Sequence, residues 1–401
     1  MKPTGTRTRF ILVGMLMALV FASQHNANST ISQNNETSRA STKAGGLVVH
    51  EWGTFTSVAG RDGVSVEWRP LDETSDLPSF VYTMEGLGAG RGLRHGILQT
   101  KYTLEAFVRM ETPVLYFYSD HETAVSVRVD FPEGKITEWY PQARGVYDAG
   151  IDWGQINIMP GIEDAFPVED KPSHYYPARE TDAAPLRVCG KAGVQHEKFL
   201  FYRGVGCFAV PLAVTFDAER VAIRNLRRER VKQAVLFENH AGRVGYRVCD
   251  LRGGVAAFER PELNSSVDAL AGELESMLIA SGLFEKEARA MLRTWRDSWF
   301  EEGLRVFYVV PRAMTDRVLP IQVTPAPEEL QRVLVGRIEI VTPEAERAVV
   351  DEAASSNEAS AASLALREKY GRFVEPIVKR ALEQVSDDRL KHRLQQLITR
   401  Q

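Results

Sequence analysis

Residues 47–71 constrain the fold of this chain most strongly, because they predict two β-strands joined by a tight turn. Their sequence reads LVVHEWGTFTSVAGRDGVSVEWRPL, with Asp62-Gly63 between two runs rich in valine, threonine and aromatic residues. An Asp-Gly pair between apolar runs of this kind is a strong signal for a β-hairpin. A chain whose structured part begins in this way is expected to fold as a mainly β protein.

Glu51 is the unusual residue of this hairpin, because it falls on an apolar face. Side chains alternate between the two faces of a strand, so Glu51 lies with Val49 and Phe55. In the second predicted strand Glu67 falls on the polar face, which is the ordinary arrangement for a half-exposed sheet. The sequence therefore predicts a buried carboxylate at position 51, unless a β-bulge at Gly53 turns it outward.

The spacing of apolar residues divides the structured chain into three regions. Alternating apolar residues and Gly- or Pro-containing turns over residues 46–260 predict antiparallel, sandwich-like sheets. From Asn264 the apolar period changes to about 3.6 and strands return before residue 342, so an α/β region over 261–342 is expected to pack on the β core. Residues 343–401 are predicted to form a C-terminal helical region, which gives a mainly β fold with an α/β portion and a helical tail.

Two helices are expected at 265–281 and 284–301, because apolar residues recur on one side of each segment. The second segment carries Trp295 and Trp299 at helical spacing, and such a stripe is too apolar to stay exposed on a monomer. We therefore expect both helices to pack against the β core instead of forming a separate domain.

The N-terminus has the three parts of a secretory signal peptide. Basic residues precede the apolar run FILVGMLMALVFA at 10–22, which ends at a plausible cleavage site, so residues 1–23 are assigned to the signal peptide. The run is shorter than the about 20 residues of a membrane-spanning helix, although an uncleaved N-terminal anchor stays open. Residues 24–45 are rich in Ser, Thr and Asn and predict a disordered linker. The protein is expected to be secreted or periplasmic, with no transmembrane span after signal cleavage.

The charge balance gives no sign of a nucleic-acid partner, since 49 Lys and Arg residues oppose 53 Asp and Glu residues and the net charge is −4. One basic run, RNLRRER at 224–230, is expected to be a solvated strand end or turn. The glycine-rich stretch at 86–96 lacks the flanking strand and helix of a nucleotide-binding loop, so a flexible loop is expected there.

Export makes disulfides possible, but the chain has only three cysteines, so at most one pair can form. Cys189 and Cys207 are the expected pair if one forms. The alternative is that these two residues and Cys249 are small, buried apolar side chains.

The same comparison of strand faces finds three more glutamates among apolar neighbours. Glu111 lies with Leu115 and Phe117, Glu138 with Ile136 and Tyr140, and Glu197 with Phe199 and Phe201. An isolated buried carboxylate costs several kcal/mol, so such residues either form ion pairs or act chemically. Glu51, Glu111, Glu138 and Glu197 are therefore the candidate catalytic residues, and Trp52, Trp139, Tyr140 and Arg203 are the candidate substrate-binding residues.

Three interpretations of these residues stay open. Paired carboxylates beside aromatic rings indicate a cleft that binds or acts on carbohydrate, because hydrolysis of a glycosidic bond uses two carboxylates about 5–9 Å apart. The glutamates are instead structural if arginines neutralise them, for example Arg203 at Glu197, in a non-catalytic envelope or interaction protein. A metal-dependent enzyme would use dispersed ligands such as His50 and His196. One cleft lined by all four glutamates would favour an enzyme, and four separate Glu–Arg pairs would favour a scaffold; cofactor and metal are left unknown.

Several segments resemble a family of secreted bacterial proteins that has no assigned activity. They are HEWGTFTSV, ETPVLYFYS, ITEWYP, EKFLFYRGVG and the run from TWRDSWFEEG to VFYVVPR, and together they span most of the mature chain. The resemblance implies export and a shared architecture, and it implies no activity.

Overall fold

The first strand, β1 (Val48–Gly60), lies in the middle of the largest sheet and is buried along its whole length. The computed structural model describes residues 46–71, 76–85, 101–162, 165–217, 220–356 and 358–399, all within one compact unit of the chain. On one side β1 pairs in parallel with β18 (Glu329–Val341), and on the other it pairs antiparallel with β3 (Val108–Tyr118). Two strands far apart in the sequence therefore enclose the strand that begins the fold.

The remaining elements follow in chain order. The other strands are β2 (Tyr82–Thr83), β4 (Thr123–Asp130), β5 (Gly134–Tyr140), β6 (Gly145–Tyr147), β7 (Gly150–Ile158), β8 (Leu186–Gly190), β9 (Gly193–Glu197), β10 (Leu200–Gly206), β11 (Leu212–Asp217), β12 (Arg220–Asn225), β13 (Gln233–His240), β14 (Arg243–Asp250), β15 (Val255–Glu259), β16 (Gly303–Val309) and β17 (Ile321–Thr324). The helices are α1 (Val267–Ala280), α2 (Glu285–Trp299), α3 (Arg312–Val318), α4 (Pro343–Ser355), α5 (Ala359–Tyr370), α6 (Val374–Gln384) and α7 (Asp388–Ile398). Short 3-10 turns lie at Lys101–Thr103, Tyr176–Arg179 and Gly371–Phe373.

The strands form three sheets. The nine-stranded sheet has the order β14-β13-β16-β18-β1-β3-β10-β5-β2, and its β1–β18 pair is parallel. A six-stranded sheet has the order β17-β4-β7-β8-β9, with β6 also paired to β7, and a three-stranded sheet has the order β11-β12-β15. The pairs within these two smaller sheets are antiparallel.

Both faces of the nine-stranded sheet are covered. On one face, Val49 and Phe55 of β1 belong to a core shared with the two smaller sheets. On the other face, Val48 and Trp52 pack with α1 and α2, and Val58 packs with α4 to α7. The fold is mainly β with several antiparallel sheets and C-terminal helices, as the sequence predicted.

The boundary expected between residues 260 and 261 does not follow the sheets. β16 and β18 come from the predicted α/β region, yet they lie in the middle of the nine-stranded sheet, between β13 and β1. Local apolar patterns indicate where strands occur, but they do not indicate which distant strands pair. The sandwich and the α/β portion therefore share one sheet.

The predicted hairpin forms only in part. Gly63 adopts a positive φ of 78°, and its backbone N–H donates to the Gly60 carbonyl at 2.8 Å. Residues 64–71 then form no regular strand, although Ser65 makes a bridge to Ala59. Because β18 and β3 occupy the two edges of β1 over nearly all its length, a hairpin partner has no free edge along which to pair.

No disulfide joins Cys189 and Cys207, the pair expected if one formed. Cys189 lies on β8 of the six-stranded sheet and Cys207 follows β10 of the nine-stranded sheet, and both are exposed free thiols. Cys249 is buried and free, so the alternative of a small buried side chain applies to this residue. The predicted signal peptide (1–23), linker (24–45) and glycine-rich loop (86–96) lie outside the described residues.

Helices α1 and α2 pack on the nine-stranded sheet through an apolar core. Trp295 and Trp299 are both buried in it, and the ring of Trp299 lies 5.2 Å from that of Phe307 on β16. None of the helices in the described part of the chain is both long and apolar enough to cross a membrane.

Replacing Trp295 by alanine is expected to destabilise the fold by about 3–5 kcal/mol, because a large buried ring is lost and a cavity remains. Arg296 is the matched control, since its ion pair with Asp268 is exposed and Arg296→Ala should cost less than about 1 kcal/mol. Urea unfolding of the two variants measures both values. A Trp295→Ala cost as small as that of the control would contradict the packing of α2 on the sheet.

Candidate functional site

All four glutamates selected from the sequence are fully buried, and each forms an ion pair with an arginine or lysine. The four pairs use different cations and are built on different elements. The structure therefore places these residues in separate pairs instead of along one open cleft.

Glu51 is neutralised across the parallel pair of strands. Arg332 of β18 lies directly opposite Glu51 in the register, with its Nε 2.5 Å from Glu51 Oε2, and neither side chain reaches solvent. The Tyr202 hydroxyl donates to the other carboxylate oxygen. A β-bulge does occur opposite Gly53, but its extra residue is on β3 at Thr112, and Glu51 stays inside.

Glu111 connects the nine-stranded sheet to the C-terminal helical region. Its Oε1 lies 2.9 Å from Arg372 Nη1 and 3.5 Å from Arg109 Nε. Burial by itself would raise the pKa of Glu111, but Arg372 and Arg109 hold it below its usual value. This carboxylate is therefore ionised at neutral pH and acts as the anionic partner of two arginines.

Glu138 lies opposite Arg203 in the antiparallel pair of β5 and β10. Its Oε1 accepts from Lys101 Nζ at 2.8 Å and from Arg203 Nη2 at 3.0 Å. Burial opposes ionisation, but the two cations lower the pKa of Glu138 to about 2. Such a carboxylate does not exchange a proton near neutral pH.

Glu197, at the end of β9, differs from the other candidates in its electrostatics. It pairs with Arg179 at 2.6 Å, not with Arg203 as the sequence suggested, and it accepts from the Tyr175 hydroxyl at 2.9 Å. Here burial outweighs the guanidinium and raises the pKa of Glu197. Both of its oxygens are nevertheless already bonded to protein donors.

The aromatic candidates are also buried and do not form an open platform. Trp52 and Tyr140 belong to the core beneath α1 and α2, whereas Trp139 belongs to the core between the sheets. The Trp139 and Tyr140 rings stack with Tyr82, at centroid distances of 6.1 and 6.3 Å. These rings therefore contribute to packing, and in the described structure they are not exposed to a sugar.

Arg203, the charged candidate for substrate binding, belongs to a chain of ion pairs. It contacts Asp76 at 2.8 Å as well as Glu138, and Asp76 also lies 3.2 Å from His174 Nδ1. His174 Nε2 lies 2.8 Å from Asp297 of α2. Burial lowers the pKa of His174, but its hydrogen bonds to the two aspartates outweigh burial and raise it to about 9. The imidazolium thus joins the segment before the Tyr176–Arg179 turn to α2.

This arrangement predicts that stability falls as the pH rises from 6.5 to 9. The folded-state pKa of His174 lies above the unfolded value of 6.5, so the stabilisation is complete below pH 6.5 and is lost through pH 9. This increase in the pKa of His174 corresponds to at most about 3 kcal/mol of folding free energy. Melting temperatures of the wild type and His174→Gln should converge between these pH values. If the two melting temperatures differ by the same amount over this whole pH range, His174 does not stabilise the fold through its bonds to the two aspartates.

A cavity with a mainly apolar surface lies away from these four ion pairs, at one end of three neighbouring strands. It has a volume of about 520 Å³ and is bounded by the end of β13, the start of β16 and the end of β18. Residues 260–263 and parts of the C-terminal helices close the other sides. Its apolar surface includes Leu304, Ile340, Val341, Phe373 and Ile377. We call it the acidic cavity, because five glutamates line it: Glu238, Glu262, Glu302, Glu339 and Glu344.

The glutamates of the acidic cavity are neutralised to different degrees. Glu238 is bonded to Arg260, and Glu339 is bonded to two fully buried arginines behind the wall, Arg305 at 2.9 Å and Arg337 at 3.0 Å. Glu302 accepts from the backbone N–H of Ala241 at 2.8 Å and lies 3.2 Å from His240. Glu344 is half exposed in the first turn of α4, 3.6 Å from Arg347. The lining has five glutamates and two basic residues, Arg260 and Lys369, so its negative charges exceed its positive charges by three.

Sequence reasoning missed this cavity, although two of its residues carry a signal. Glu238 lies on the same face of β13 as Ala234 and Leu236, and Glu339 lies on the same face of β18 as Val335. The comparison of strand faces would therefore have selected both glutamates. Nothing local could show that the ends of β13, β16 and β18 meet, because that depends on the order of the strands in the sheet.

The histidines proposed as metal ligands have other contacts. His50 Nδ1 lies 2.8 Å from Glu287 of α2, and the His50 ring stacks on Phe284 at a centroid distance of 4.3 Å. Within the described ranges of the chain, no three His, Cys, Asp or Glu residues are placed to hold a metal ion together.

The fold and the site define a β-rich protein with buried, neutralised carboxylates and an open cavity with an excess of acidic residues. No protein family and no curated protein matches the sequence. Among solved structures, the chain is similar to the Mu homology domain of Fcho1 from Danio rerio with a bound Eps15 peptide. The identity is 7% over 74% of this chain and 96% of that chain. The TM-score is 0.25, and the similarity therefore carries no argument about fold or function.

Proposed function

We propose that this chain is an exported, non-catalytic binding protein of the cell envelope. The signal peptide predicted at residues 1–23 supports export, and the burial of the four candidate catalytic glutamates supports a binding role over a catalytic one. The observation that carries the proposal is that buried cations neutralise all four candidate catalytic glutamates.

A carboxylate that acts as a general acid or base must come within hydrogen-bonding distance of its substrate. Glu51, Glu111, Glu138 and Glu197 have no exposed surface, and the cations that neutralise them are themselves largely buried. A substrate could reach one of them only by displacing such a partner. These contacts are typical of structural ion pairs, which hold strands in register.

Action on carbohydrate gains less support from the geometry than binding does. Hydrolysis of a glycosidic bond needs one protonated and one ionised carboxylate on either side of the substrate. Glu197 has the raised pKa of an acid, but Arg179 and Tyr175 already occupy its oxygens. Its burial therefore supports a structural role, with the arginine as counter-ion.

Changing each of the four glutamates to glutamine should lower the free energy of unfolding by about 2–5 kcal/mol, because each change leaves a buried cation without its counter-ion. Glu67→Gln is the matched control, since Glu67 is exposed, and it should change stability by less than about 0.5 kcal/mol. Urea unfolding of the five variants needs no knowledge of a substrate. Unchanged or increased stability in two or more of the four variants would favour a catalytic cleft instead.

The acidic cavity is the place where we expect a ligand to bind. Its volume of about 520 Å³ is within the range of small-molecule sites, and it combines an apolar floor with a few polar groups. The excess of negative charge favours a group that ends in a cation and has an apolar stem. A lysine or arginine side chain of a partner protein, or a small amine, has this chemistry.

Hexylamine, which is protonated at neutral pH, should therefore bind saturably and more tightly than the neutral analogue 1-hexanol. Glu302→Gln and Glu344→Gln should each weaken the binding several-fold, because each removes one negative charge from the lining. Glu273→Gln removes an exposed charge on α1 and is the control. Ligand-observed NMR measures the affinities. Equal binding of hexylamine and 1-hexanol would show that the charge of the cavity does not select its ligand.

A further inference from the structure

A second cavity lies at the opposite end of β13, β16 and β18. It has a volume of about 450 Å³ and is bounded by the start of β13, the residues that follow β16, the start of β18 and the end of α1. The pairing of β16 with β18 stops at Val309, opposite Val335, and the Val310 N–H then donates to Leu334 at 2.8 Å. Residues 331–333 of β18 therefore have β1 on one side and this cavity on the other.

The charge of this second cavity is the reverse of that of the acidic cavity. Its lining contains Arg230, Lys232, Arg312 and Arg332, and among the described residues no aspartate or glutamate lines it. We call it the basic cavity. A lining with four cations is notable in a chain whose net charge is −4.

Two of these cations have no carboxylate partner in the described part of the chain. Arg230 and Lys232 are both exposed, and Arg230 Nη1 donates a 3.5 Å hydrogen bond to the carbonyl of Arg252. Arg230 belongs to the basic run 224–230, which also contains the exposed residues Arg227 and Arg228. The run expected to be a solvated turn thus supplies positive charge to a cavity.

Arg332 also lines this cavity, but its side chain is fully buried and belongs to the ion pair with Glu51. Its Nε bonds Glu51 and its Nη1 bonds Asp316 at 2.9 Å, whereas its buried Nη2 has no hydrogen-bond partner among the residues that the structure describes. This group has no exposed surface, so Arg332 supports the wall of the cavity and does not itself contact a ligand. Arg312 is only partly neutralised, since its Nε contacts Asp316 at 2.8 Å and its Nη1 donates to the Leu330 carbonyl.

The rest of the lining limits what kind of anion fits. Seven apolar residues contribute to it: Val231, Met277, Ala280, Val309, Val310, Pro311 and Val333. A small inorganic anion would leave this surface in contact with water. An anionic head on an apolar chain would meet the cations and the apolar wall together.

We propose that the basic cavity binds an amphiphilic phosphate, in which a phosphate ester group meets Arg230 and Lys232 and an alkyl chain lies against the apolar wall. Arginine presents several N–H donors in a planar fork that matches the oxygens of a phosphate, and lysine adds a point charge. The ligand is either a soluble phosphate ester or the head group of an anionic phospholipid, since both have this chemistry. The site extends the binding function proposed above and rests on it.

Hexyl phosphate is the first probe, with inorganic phosphate and hexylamine as comparisons. Hexyl phosphate should bind at least ten-fold more tightly than inorganic phosphate, because only the ester has a chain to bury. Binding should weaken at least ten-fold in the double variant Arg230→Gln, Lys232→Gln, whose two positions are exposed and tolerate the change. Arg187→Gln removes an exposed charge on β8 of another sheet and should leave binding unchanged.

Vesicles distinguish the two sources of the phosphate. If the wild type cosediments with phosphatidylglycerol vesicles but not with phosphatidylcholine vesicles, and the double variant cosediments with neither, the site binds a lipid head group. Binding of hexyl phosphate without binding to either vesicle would assign it to a soluble ester. Equal binding of hexyl phosphate by the wild type and the double variant, or no saturable binding of hexyl phosphate, would overturn the proposal. The glutamine variants of the four buried glutamates test the binding role separately, so the failure of one proposal is distinguishable from the failure of the other.

Discussion

The parallel pairing of β1 with β18 is the constraint on which the rest of the structure depends. It joins the first and the last strand of the nine-stranded sheet in the sequence over all 13 residues of β1, which leaves β1 with neighbours on both edges and packed layers on both faces. A strand in this position cannot turn a charge toward water. Glu51 must therefore be neutralised within the sheet, and the register places Arg332 directly opposite it. A slip of one residue would separate these two charges and leave both unpaired in the core, so the ion pair favours this register over its neighbours.

The local pattern of the sequence predicts the element types and the buried glutamates better than it predicts their partners. Alternation of side chains selects Glu51, Glu111, Glu138 and Glu197, and all four are buried. Their partners are set by tertiary structure: Arg332 is 281 residues from Glu51, and Arg372 belongs to the C-terminal helical region. The same limit explains the hairpin. Gly63 supplies the turn, as the Asp-Gly pair indicates. The strand expected after it does not pair along β1, because β18 and β3 occupy the two edges of β1. No local pattern in residues 47–71 shows that these distant strands pair there.

Burial of so many ion pairs is more easily explained by specificity than by stability. Two charges lose much of their hydration when they are buried, and their attraction in the core often repays no more than that loss. Removing one partner is far more costly, because the remaining charge is then buried alone. Arg305, Arg337 and Arg372 illustrate this, since Glu339, Glu301 and Glu111 lie among them and link β16, β18 and β3 to the C-terminal helices. Such a network penalises any arrangement of the helical region in which one of these charges lacks its counter-ion.

The two cavities have a common structural origin, and this connects the scaffold to the proposed binding role. β13, β16 and β18 are adjacent, and at each end of this group the chain leaves the sheet at different points, which opens a space between the strand ends and the helices. Side chains at strand ends need not match a cross-strand partner, so acidic residues can collect at one end and basic residues at the other without disturbing the register. The groups that we propose to meet a ligand, such as Glu302 and Lys232, are not members of the buried pair of Glu51 and Arg332. Substitutions at Glu302 or Lys232 are therefore expected to change which ligand binds, whereas a substitution at Glu51 is expected to lower the stability of the fold.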